Sequence, residues 1–255
     1  YVQTLGTITK VSFENLMEQT GSAQGAQASL KLTVPEPGQI GVVAVVPGPG
    51  IARVFASLGV AAIVEGGQTM NPSTKDILDA FENLPTDKVI ILPNNKNIIL
   101  AAQQARDVTV KQVQLVPSRN IPQGLAAMMY LNPDGETEAV AAKMSKALDG
   151  VLCGEITTAT RSVEIDGVSV EQGQTIALLN GKLALSAATV ADATLGLLEK
   201  AGAGDYELIT LFYGEDMTLA DANRIVDLIR SNYPGQEIEL QDGGQPHYQF
   251  IVSIE

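Results

Sequence analysis

The stretch IGVVAVVPGPG at residues 40–50 decides the fold class of this chain. Its apolar run stops at Pro47, and a Gly-Pro-Gly segment then leads into a helical pattern over residues 51–58. The same arrangement recurs three times, each time with a polar loop and a helix after the apolar run. The recurring apolar runs are 61–64, 88–92 and 113–116. Short, wholly apolar strands that alternate with helices predict a parallel sheet covered by helices on both faces.

The polar loops after these strands are the first place to expect a ligand, because parallel α/β sheets bind ligands beyond the carboxyl ends of their strands. In the loop at 69–73, Thr69, Asn71 and Ser73 offer two hydroxyls and an amide near a helix N-terminus, where an anion can bind. The alternative is that the loop only caps its own helix, and the sequence favours neither. The sequence Asn-Asn-Lys-Asn at 94–97 is a second polar cluster. Side-chain amides are costly to bury unpaired, so this cluster fits a solvated loop or a contact surface.

The second half of the chain predicts an α+β lobe with a mixed or antiparallel sheet. The predicted helices are 136–148, 190–201 and 218–232, and the predicted strands are 151–165, 168–170, 175–185, 207–213, 237–240 and 248–254, with the last two taken as a pair. Asp166-Gly167 and Asn180-Gly181 predict hairpin turns, because both positions of such turns need a positive φ.

The chain is therefore divided into three parts. Residues 1–35 are interpreted as the end of a preceding domain and its linker, because a lone strand-like segment is followed by a stretch rich in Gly, Gln, Ser and Ala. Residues 36–120 form the predicted parallel-sheet lobe, and residues 121–255 form the α+β lobe. The first residue is Tyr1 rather than Met, which is consistent with a piece of a longer protein.

Composition excludes several classes of function. The chain has 16 Lys+Arg against 29 Asp+Glu, a formal net charge of −13. This balance argues against binding of nucleic acid or of an anionic membrane surface. No apolar run approaches the roughly 18–20 residues that a membrane-spanning helix needs, and no signal peptide is visible. A single cysteine cannot form an internal disulfide, which fits a reducing compartment, and a cytoplasmic location is expected.

Few residues are suited to catalysis. One Cys and one His cannot make a Cys/His metal site within this chain. Gly48-Pro-Gly50 lacks the third glycine of a dinucleotide-binding motif, because Arg53 stands there, so a tight turn is the favoured interpretation. His247 either faces a ligand or partner, or is an ordinary loop histidine, which the sequence favours. Cys153 lies in an apolar run and is expected to be a buried, inert thiol.

Four longer motifs resemble one known family. They are EGGQTMNPS at 65–73, LPNNKNI at 92–98, VPSRNIPQGLAA at 116–127 and GGQPHY at 243–248. In this order they resemble the C-terminal domain of the large subunit of bacterial fatty acid kinase, which is related to dihydroxyacetone kinases. The resemblance implies a two-lobed DegV-like fold, with the parallel-sheet lobe first. It runs through nearly the whole chain from residue 40 onward.

The resemblance also implies a division of labour. ATP and magnesium are expected in an N-terminal domain and not in this chain, and a middle domain mediates dimerisation. The C-terminal domain is expected to dock a DegV-like fatty-acid-binding protein, whose acyl carboxylate is phosphorylated for phospholipid synthesis. DegV-like proteins carry a Thr-Ser-Gln-Pro-Ser loop around the lipid carboxylate, where this chain has Met70 and Asn71 at the second and third positions. A docking scaffold is therefore the simpler interpretation.

Three hypotheses follow for the function of the chain. The first is a non-catalytic docking domain, contacting its partner through exposed loop residues. The candidate contact or ligand residues are Thr69, Asn71, Ser73, Asn94, Asn95, Lys96, Arg119 and His247. The second is a lipid-binding module with an acyl chain between the lobes and an apolar tunnel that ends at Thr69 and Ser73. The third, an independent enzyme, has the least support, since no acid–base or metal constellation stands out.

Overall fold

Strand β1 (Ile40–Val46) lies near the centre of the first lobe and is buried along its whole length. The computed structural model describes residues 30–68, 70–165 and 168–255. The predicted opening strand and the linker at 20–29 lie outside these residues. Thr69 and the Asp166-Gly167 turn lie outside them as well.

Twelve strands and seven α-helices make up the described part of the chain. In chain order they are β1 (Ile40–Val46), α1 (Pro49–Ser57), β2 (Ala62–Glu65), α2 (Thr74–Glu82), β3 (Lys88–Leu92), α3 (Ile99–Val108), β4 (Gln112–Leu115), α4 (Ile121–Met128), α5 (Thr137–Ala147), β5 (Leu152–Thr158), β6 (Val163–Ile165), β7 (Val168–Val170), β8 (Thr175–Leu179), β9 (Lys182–Ala187), α6 (Val190–Lys200), β10 (Leu208–Tyr213), α7 (Leu219–Asn232), β11 (Glu237–Asp242) and β12 (Tyr248–Ile254).

The first sheet is parallel and has the strand order β2-β1-β3-β4. In its register Val43 lies opposite Ala62 on one side and opposite Ile91 on the other. Each strand is followed by a helix, so the loops after β1, β2, β3 and β4 all lie at the carboxyl end of the sheet. The parallel-sheet lobe predicted from the apolar runs is confirmed.

The second sheet is mixed and has the order β11-β10-β12-β5-β8-β9. The predicted pairing of the last two strands is wrong. β10 lies between β11 and β12, paired parallel to the first and antiparallel to the second. The parallel β10–β11 pair needs a crossover, which helix α7 supplies. The Asn180-Gly181 hairpin is confirmed between β8 and β9, with φ of +50° and +74° at the two turn residues.

The stretch at 151–165, predicted as one continuous run, is two strands in two different sheets. β5 ends at Thr158, and β6 belongs to a separate two-stranded sheet with β7. Ala159 closes the ladder, since its N–H donates to the carbonyl of Gln174 over 2.8 Å. The following Thr160, Arg161 and Ser162 are exposed and polar, so they bury nothing that would keep the chain in the second sheet.

An aliphatic layer joins the two lobes. Val42 and Val46 of β1 pack in the same buried cluster as Phe212 of β10 and Ile251 of β12. Helices α4 and α5 contribute Met128 and other residues to this cluster. α4 contacts β5 and β12 of the second sheet, whereas α5 contacts β3 and β4 of the first. The lobe boundary near residue 120 stays a prediction.

The side chains of Ser73, Thr189 and Thr218 cap the starts of three helices. Ser73 accepts from the Asp76 N–H and its own N–H donates to the Asp76 carboxylate, a complete capping box for α2. Thr189 and Thr218 accept from the N–H groups three residues on, at the start of α6 and α7. Each cap satisfies a backbone group that would otherwise lack a partner, and such caps stabilise a protein by about 1 kcal/mol.

Candidate functional site

A cleft of about 700 Å³ opens between the two lobes. One wall is formed by the loops after β3 and β4, which carry Asn95, Lys96 and Arg119. The facing wall is formed by β5, β12 and the β8–β9 turn, with Glu155 and Tyr248 on the strands. The cleft brings together three of the predicted site residues, and Asn94 lines a smaller cavity of about 30 Å³ that shares Asn95 and Arg119 with it.

Asn94 joins three chain segments next to the cleft by hydrogen bonds. Its side-chain amide donates to the carbonyl of Val45 over 3.0 Å, and its Oδ1 accepts from the Ser118 hydroxyl over 2.7 Å. Its backbone N–H donates to the same hydroxyl over 3.0 Å. These bonds tie together the ends of β1 and β3 and the loop after β4, and Asn94 is buried. The contact or ligand role predicted for Asn94 stays a prediction, and its visible bonds are structural.

Asn95 presents a hydrogen-bond donor to the cleft. Its side chain is held by one bond, in which Oδ1 accepts from the Asn97 N–H over 2.9 Å. Only 6% of the residue is exposed, and the amide nitrogen of the side chain has no hydrogen-bond partner within the described residues. Asn95 lines the cleft, so this free donor is suited to an acceptor that enters the cleft.

Glu155 is a carboxyl group set into a largely apolar strand. Burial raises its pKa from 4.5 to about 7, and the ammonium group of Lys96 partly opposes that rise. Desolvation disfavours the charged form of a carboxyl, whereas a nearby cation favours it. Glu155 is thus close to half protonated near neutral pH, and in its protonated form it can donate a hydrogen bond.

Two neutral groups lie beside Glu155. The phenol of Tyr248 is hydrogen-bonded by the Gln68 side chain, and burial raises its pKa. Cys153 is two residues away on the same strand; it is buried, and burial raises its pKa well above the usual thiol range. Neither group ionises near neutral pH, so the charge on this wall of the cleft is set by Glu155.

Three cationic side chains surround the cleft without ion pairs. Lys96, Arg119 and Lys182 are exposed at its edge. In the part of the chain that the structure describes, none of them has a carboxylate within 4.0 Å. Asp149 is the other acidic residue lining the cleft besides Glu155. The cleft is therefore a positively charged region on a chain whose formal net charge is −13.

Four predicted site residues do not line the described walls of this cleft. Ser73 caps helix α2, and Asn71 is exposed in the preceding loop. His247 is exposed, with a φ of +69°, and its carbonyl accepts from the Thr157 hydroxyl over 2.6 Å. Thr69 lies outside the described residues. Anion binding by the loop at 69–73 stays a prediction, whereas self-capping by Ser73 is present.

The N-terminus of helix α1 is occupied by the chain itself. The N–H groups of Gly50 and Ile51 both donate to the carbonyl of Gly243, over 3.0 and 3.1 Å. β1 ends at Val46 and α1 begins at Pro49, so the tight-turn interpretation of Gly48-Pro-Gly50 is confirmed. A phosphate cannot take the usual place at this helix end without displacing that carbonyl.

Three residues of the cleft, Glu155, Tyr248 and Gln68, were not predicted from the sequence. A signal for Glu155 was present, since a lone acidic residue interrupts the apolar run VLCGEI at 151–156. A strand residue flanked by buried neighbours on both sides is unusual for glutamate. Tyr248 ends the motif GGQPHY without any spacing that relates it to the loops. Gln68 precedes the hydroxyl residues of its loop, which are the stronger signal for anion binding.

The raised pKa of Glu155 predicts a pH-dependent stability. Between about pH 4.5 and about pH 7 the folded chain holds this proton while the unfolded chain has lost it. Stability therefore falls as the pH rises through this range, by up to roughly 3 kcal/mol. Glu155→Gln should remove that loss. We expect it to be more stable than the unsubstituted chain at pH 8 by up to roughly 3 kcal/mol, and about equal at pH 4.5.

Denaturant unfolding at both pH values measures this difference. Glu171→Gln is the matched control, because Glu171 is an exposed glutamate in the same lobe. Its stability difference should stay within about 0.5 kcal/mol at both pH values. An equal gain for both variants at pH 8 would mean that net charge, and not the burial of Glu155, is responsible.

Two structural absences can be stated for the described ranges. No three His, Cys, Asp or Glu side chains in residues 30–68, 70–165 and 168–255 are grouped so that they could hold a metal ion. No helix within those ranges is long and apolar enough to cross a membrane.

Comparison with known proteins places the chain in a family. A family model for the C-terminal domain of FakA-like fatty acid kinase subunits matches residues 41–255. The chain belongs to this family. Protein YloV of Bacillus subtilis is 39% identical over 257 residues, which cover 100% of this chain and 46% of YloV. An uncharacterized protein of Staphylococcus aureus MRSA252 is 33% identical over 255 residues, with 100% and 46% covered. This FakA-like chain thus spans about half the length of the curated relatives it matches.

Solved structures confirm the fold class. A DegV family protein from Corynebacterium glutamicum matches with a TM-score of 0.61 at 17% identity, covering 85% of this chain and 97% of that protein. The Streptococcus pneumoniae fatty acid kinase B3 protein loaded with linoleic acid has a TM-score of 0.56 at 13% identity, with 85% and 100% covered. Dihydroxyacetone kinase from C. freundii has a TM-score of 0.60 at 15% identity, with 85% and 48% covered. At these identities the likeness shows the fold alone.

Proposed function

We propose that this domain docks a separate DegV-like fatty-acid-binding protein for a fatty acid kinase. The names of two similar proteins support a division of labour between a protein that carries the lipid and a protein that belongs to the kinase. The chain is FakA-like, whereas the B3 protein of a fatty acid kinase has the same fold and was found loaded with linoleic acid. A kinase whose lipid is held by one protein needs a surface on the other that receives it.

The packing between the two sheets is the observation that carries this proposal. In a carrier, an acyl chain would need a continuous apolar space between the lobes. Here the space next to β1, β10 and β12 is filled by the chain's own side chains, among them Val46, Phe212 and Ile251, all 4% exposed or less. The cleft that opens between the lobes carries charged side chains, Lys96 and Glu155 among them, besides its apolar lining.

The docking surface that we propose is the loop face at the carboxyl end of the first sheet. Asn71, Lys96 and Arg119 are exposed there on three successive loops. Charged groups at the rim of such a surface mainly raise the association rate and exclude wrong partners. Lys96 and Arg119 favour acidic groups on the partner at the contact itself, whereas the negative charge of the whole chain favours a partner whose surface is otherwise basic.

Phosphoryl transfer is assigned, in this proposal, to parts of the kinase other than this domain. The curated relatives are about twice as long as the chain, which leaves room for further domains in those proteins. We place the ATP and magnesium site and the middle domain there, as partners within one polypeptide. The product would be an acyl phosphate, made in the cytoplasm and used for phospholipid synthesis.

Calorimetry tests the docking proposal directly. The chain is titrated with a DegV-like fatty-acid-binding protein, once loaded with fatty acid and once empty, while mass spectrometry examines the purified chain for retained lipid. We expect a saturable one-to-one complex and no fatty acid bound to this chain. The absence of a complex, together with a stoichiometric fatty acid in the chain, would instead favour the lipid-binding module.

Removing the two rim cations should weaken docking. We expect the double variant Lys96→Ala/Arg119→Ala to bind the carrier protein at least about tenfold more weakly, since each charge-assisted contact is worth on the order of 1 kcal/mol. The matched control is Lys143→Ala/Lys146→Ala, which removes the same charge from exposed positions on α5. Unchanged affinity for a folded first variant would place the docking surface elsewhere.

A further inference from the structure

Asn95 lines the inter-lobe cleft, and its side-chain amide nitrogen has no acceptor within the described ranges. We propose that the cleft binds a small molecule through a phosphate-type oxyanion, which accepts from Asn95 and lies between Lys96 and Arg119. The residues on which this rests all line one cavity. The proposal concerns a ligand of this domain alone, and it does not require that the domain dock another protein.

The position of Asn95 indicates an acceptor rather than a donor as ligand. Its Oδ1 is already engaged by the Asn97 N–H, so the side chain is fixed with its NH₂ group left over. The loop that carries it is held in place by Asn94, which is bonded to Val45 and Ser118. The donor is thus preorganised in a rigid loop before any ligand arrives, which lowers the entropic cost of binding.

The charge around the cleft indicates an anion with more than one negative charge. Lys96, Arg119 and Lys182 contribute three positive charges, and Asp149 contributes one negative charge. With Glu155 protonated, these groups leave the cleft with a net charge of plus two. A phosphate or sulfate group matches this better than a single carboxylate, and the planar guanidinium of arginine binds such oxygens in a bidentate manner.

The size of the cleft indicates a small molecule rather than a bare ion. Its volume of about 700 Å³ lies within the range of roughly 300–1,000 Å³ that is typical of small-molecule sites. The remaining walls, which include Leu152, Leu178 and Val151, offer apolar surface to the part of the ligand that carries the oxyanion.

Glu155 makes the affinity of the proposed site for an anion depend on pH. The other charged groups of the cleft come from four places. Lys96 lies on the loop after β3, Arg119 on the loop after β4, Lys182 on β9 and Asp149 just before β5. Tyr248 on β12 and Cys153 on β5 stay neutral because burial raises the pKa of both. An anion is repelled by ionised Glu155 and accepts a hydrogen bond from the protonated form, so binding should strengthen as the pH falls.

Calorimetric titration of the 255-residue chain tests the site with sulfate and with phenyl phosphate, at constant ionic strength held by chloride. We expect saturable binding of both probes. Asn95→Asp should weaken both at least about tenfold, because it keeps the acceptor for the Asn97 N–H but replaces the free donor with a negative charge. Asn97→Asp is the control, since it adds the same charge in the same loop at an exposed position that does not line the cleft.

Three results would overturn the proposal. They are no saturable binding of either probe, an equal loss for Asn95→Asp and Asn97→Asp, and binding of octanoate but not of sulfate or phenyl phosphate. A thermal melt of each variant establishes that it is folded. Docking is separable from this test, because the titrations with sulfate and phenyl phosphate contain no carrier protein.

The pH dependence of binding is measured with sulfate, because sulfate stays a dianion between pH 6 and pH 8. Sulfate should bind several-fold more tightly at pH 6 than at pH 8, because Glu155 passes from mostly protonated to mostly ionised across a pKa of about 7. Glu155→Gln should flatten this dependence and retain binding. If the unsubstituted chain binds sulfate equally tightly at both pH values, Glu155 does not take part in binding.

Discussion

Gly50→Ala should destabilise this chain by about 3 kcal/mol or more, a large part of the roughly 5–15 kcal/mol that keeps a domain folded. A Cβ atom at this position would lie 1.8 Å from the carbonyl oxygen of Asp242 and 2.6 Å from its carbon. Backbone atoms of the other lobe cannot move aside as a flexible side chain can. The methyl group would also separate the Gly50 N–H from the Gly243 carbonyl that caps helix α1. Thermal and denaturant unfolding of the purified variant measure the effect.

Gly235→Ala is the control for this result. No atom lies within 4 Å of a Cβ built at Gly235, and its backbone needs no positive φ. Its unfolding free energy should stay within about 0.5 kcal/mol of that of the unsubstituted chain. A Gly50→Ala variant as stable as this control would mean that α1 and the loop at 242–245 are not in contact as described.

Asn94→Gly should cost about 3 kcal/mol of stability. The residue adopts a φ of +52°, which glycine tolerates, so the substitution removes the side chain without adding backbone strain. It leaves the carbonyl of Val45 without its side-chain donor and the O–H of Ser118 without its acceptor in a buried place, while the N–H of residue 94 still donates to that hydroxyl. Unsatisfied buried polar groups cost roughly 1–3 kcal/mol each. Chemical denaturation at neutral pH is the measurement.

Asn180→Gly provides the comparison for Asn94→Gly. Asn180 has almost the same φ, +50°, but it is an exposed turn residue whose Oδ1 accepts one bond, from the Cys153 N–H. We expect it to cost about 1 kcal/mol or less. Equal losses at the two positions would show that the loop geometry, and not the buried amide, accounts for the effect at Asn94.

The fold of the first lobe could be predicted from the sequence because each of its strands is a separate apolar run ended by Pro, Gly or Asn. The fold of the second lobe was harder to predict from the sequence. Strand positions such as 237–240 and 248–254 were correct within a few residues, but their pairing was not. Pairing of strands in a mixed sheet depends on contacts between distant segments, which local periodicity does not record.

The site was predicted in part for a similar reason. Asn95, Lys96 and Arg119 follow strands of a parallel sheet, so their meeting at one end of the sheet follows from topology. Glu155 and Tyr248 enter the same cleft from a different sheet, and no spacing in the sequence relates them to the loops. For Asn94 the sequence indicates the position but not the role. A polar residue at a strand end can bind a ligand or can hold neighbouring loops by hydrogen bonds, and only its partners in the structure distinguish the two.

The place of β12 in the second sheet has a consequence for synthesis on the ribosome. The strands β5, β8 and β9 form one antiparallel group, and β10 with β11 forms another, so β12 is the strand that joins them. A nascent chain therefore holds two unjoined half-sheets, each with an open edge, until residues 248–254 have left the exit tunnel. Open strand edges pair readily with other chains. We expect this interval to be when the growing polypeptide most depends on chaperones.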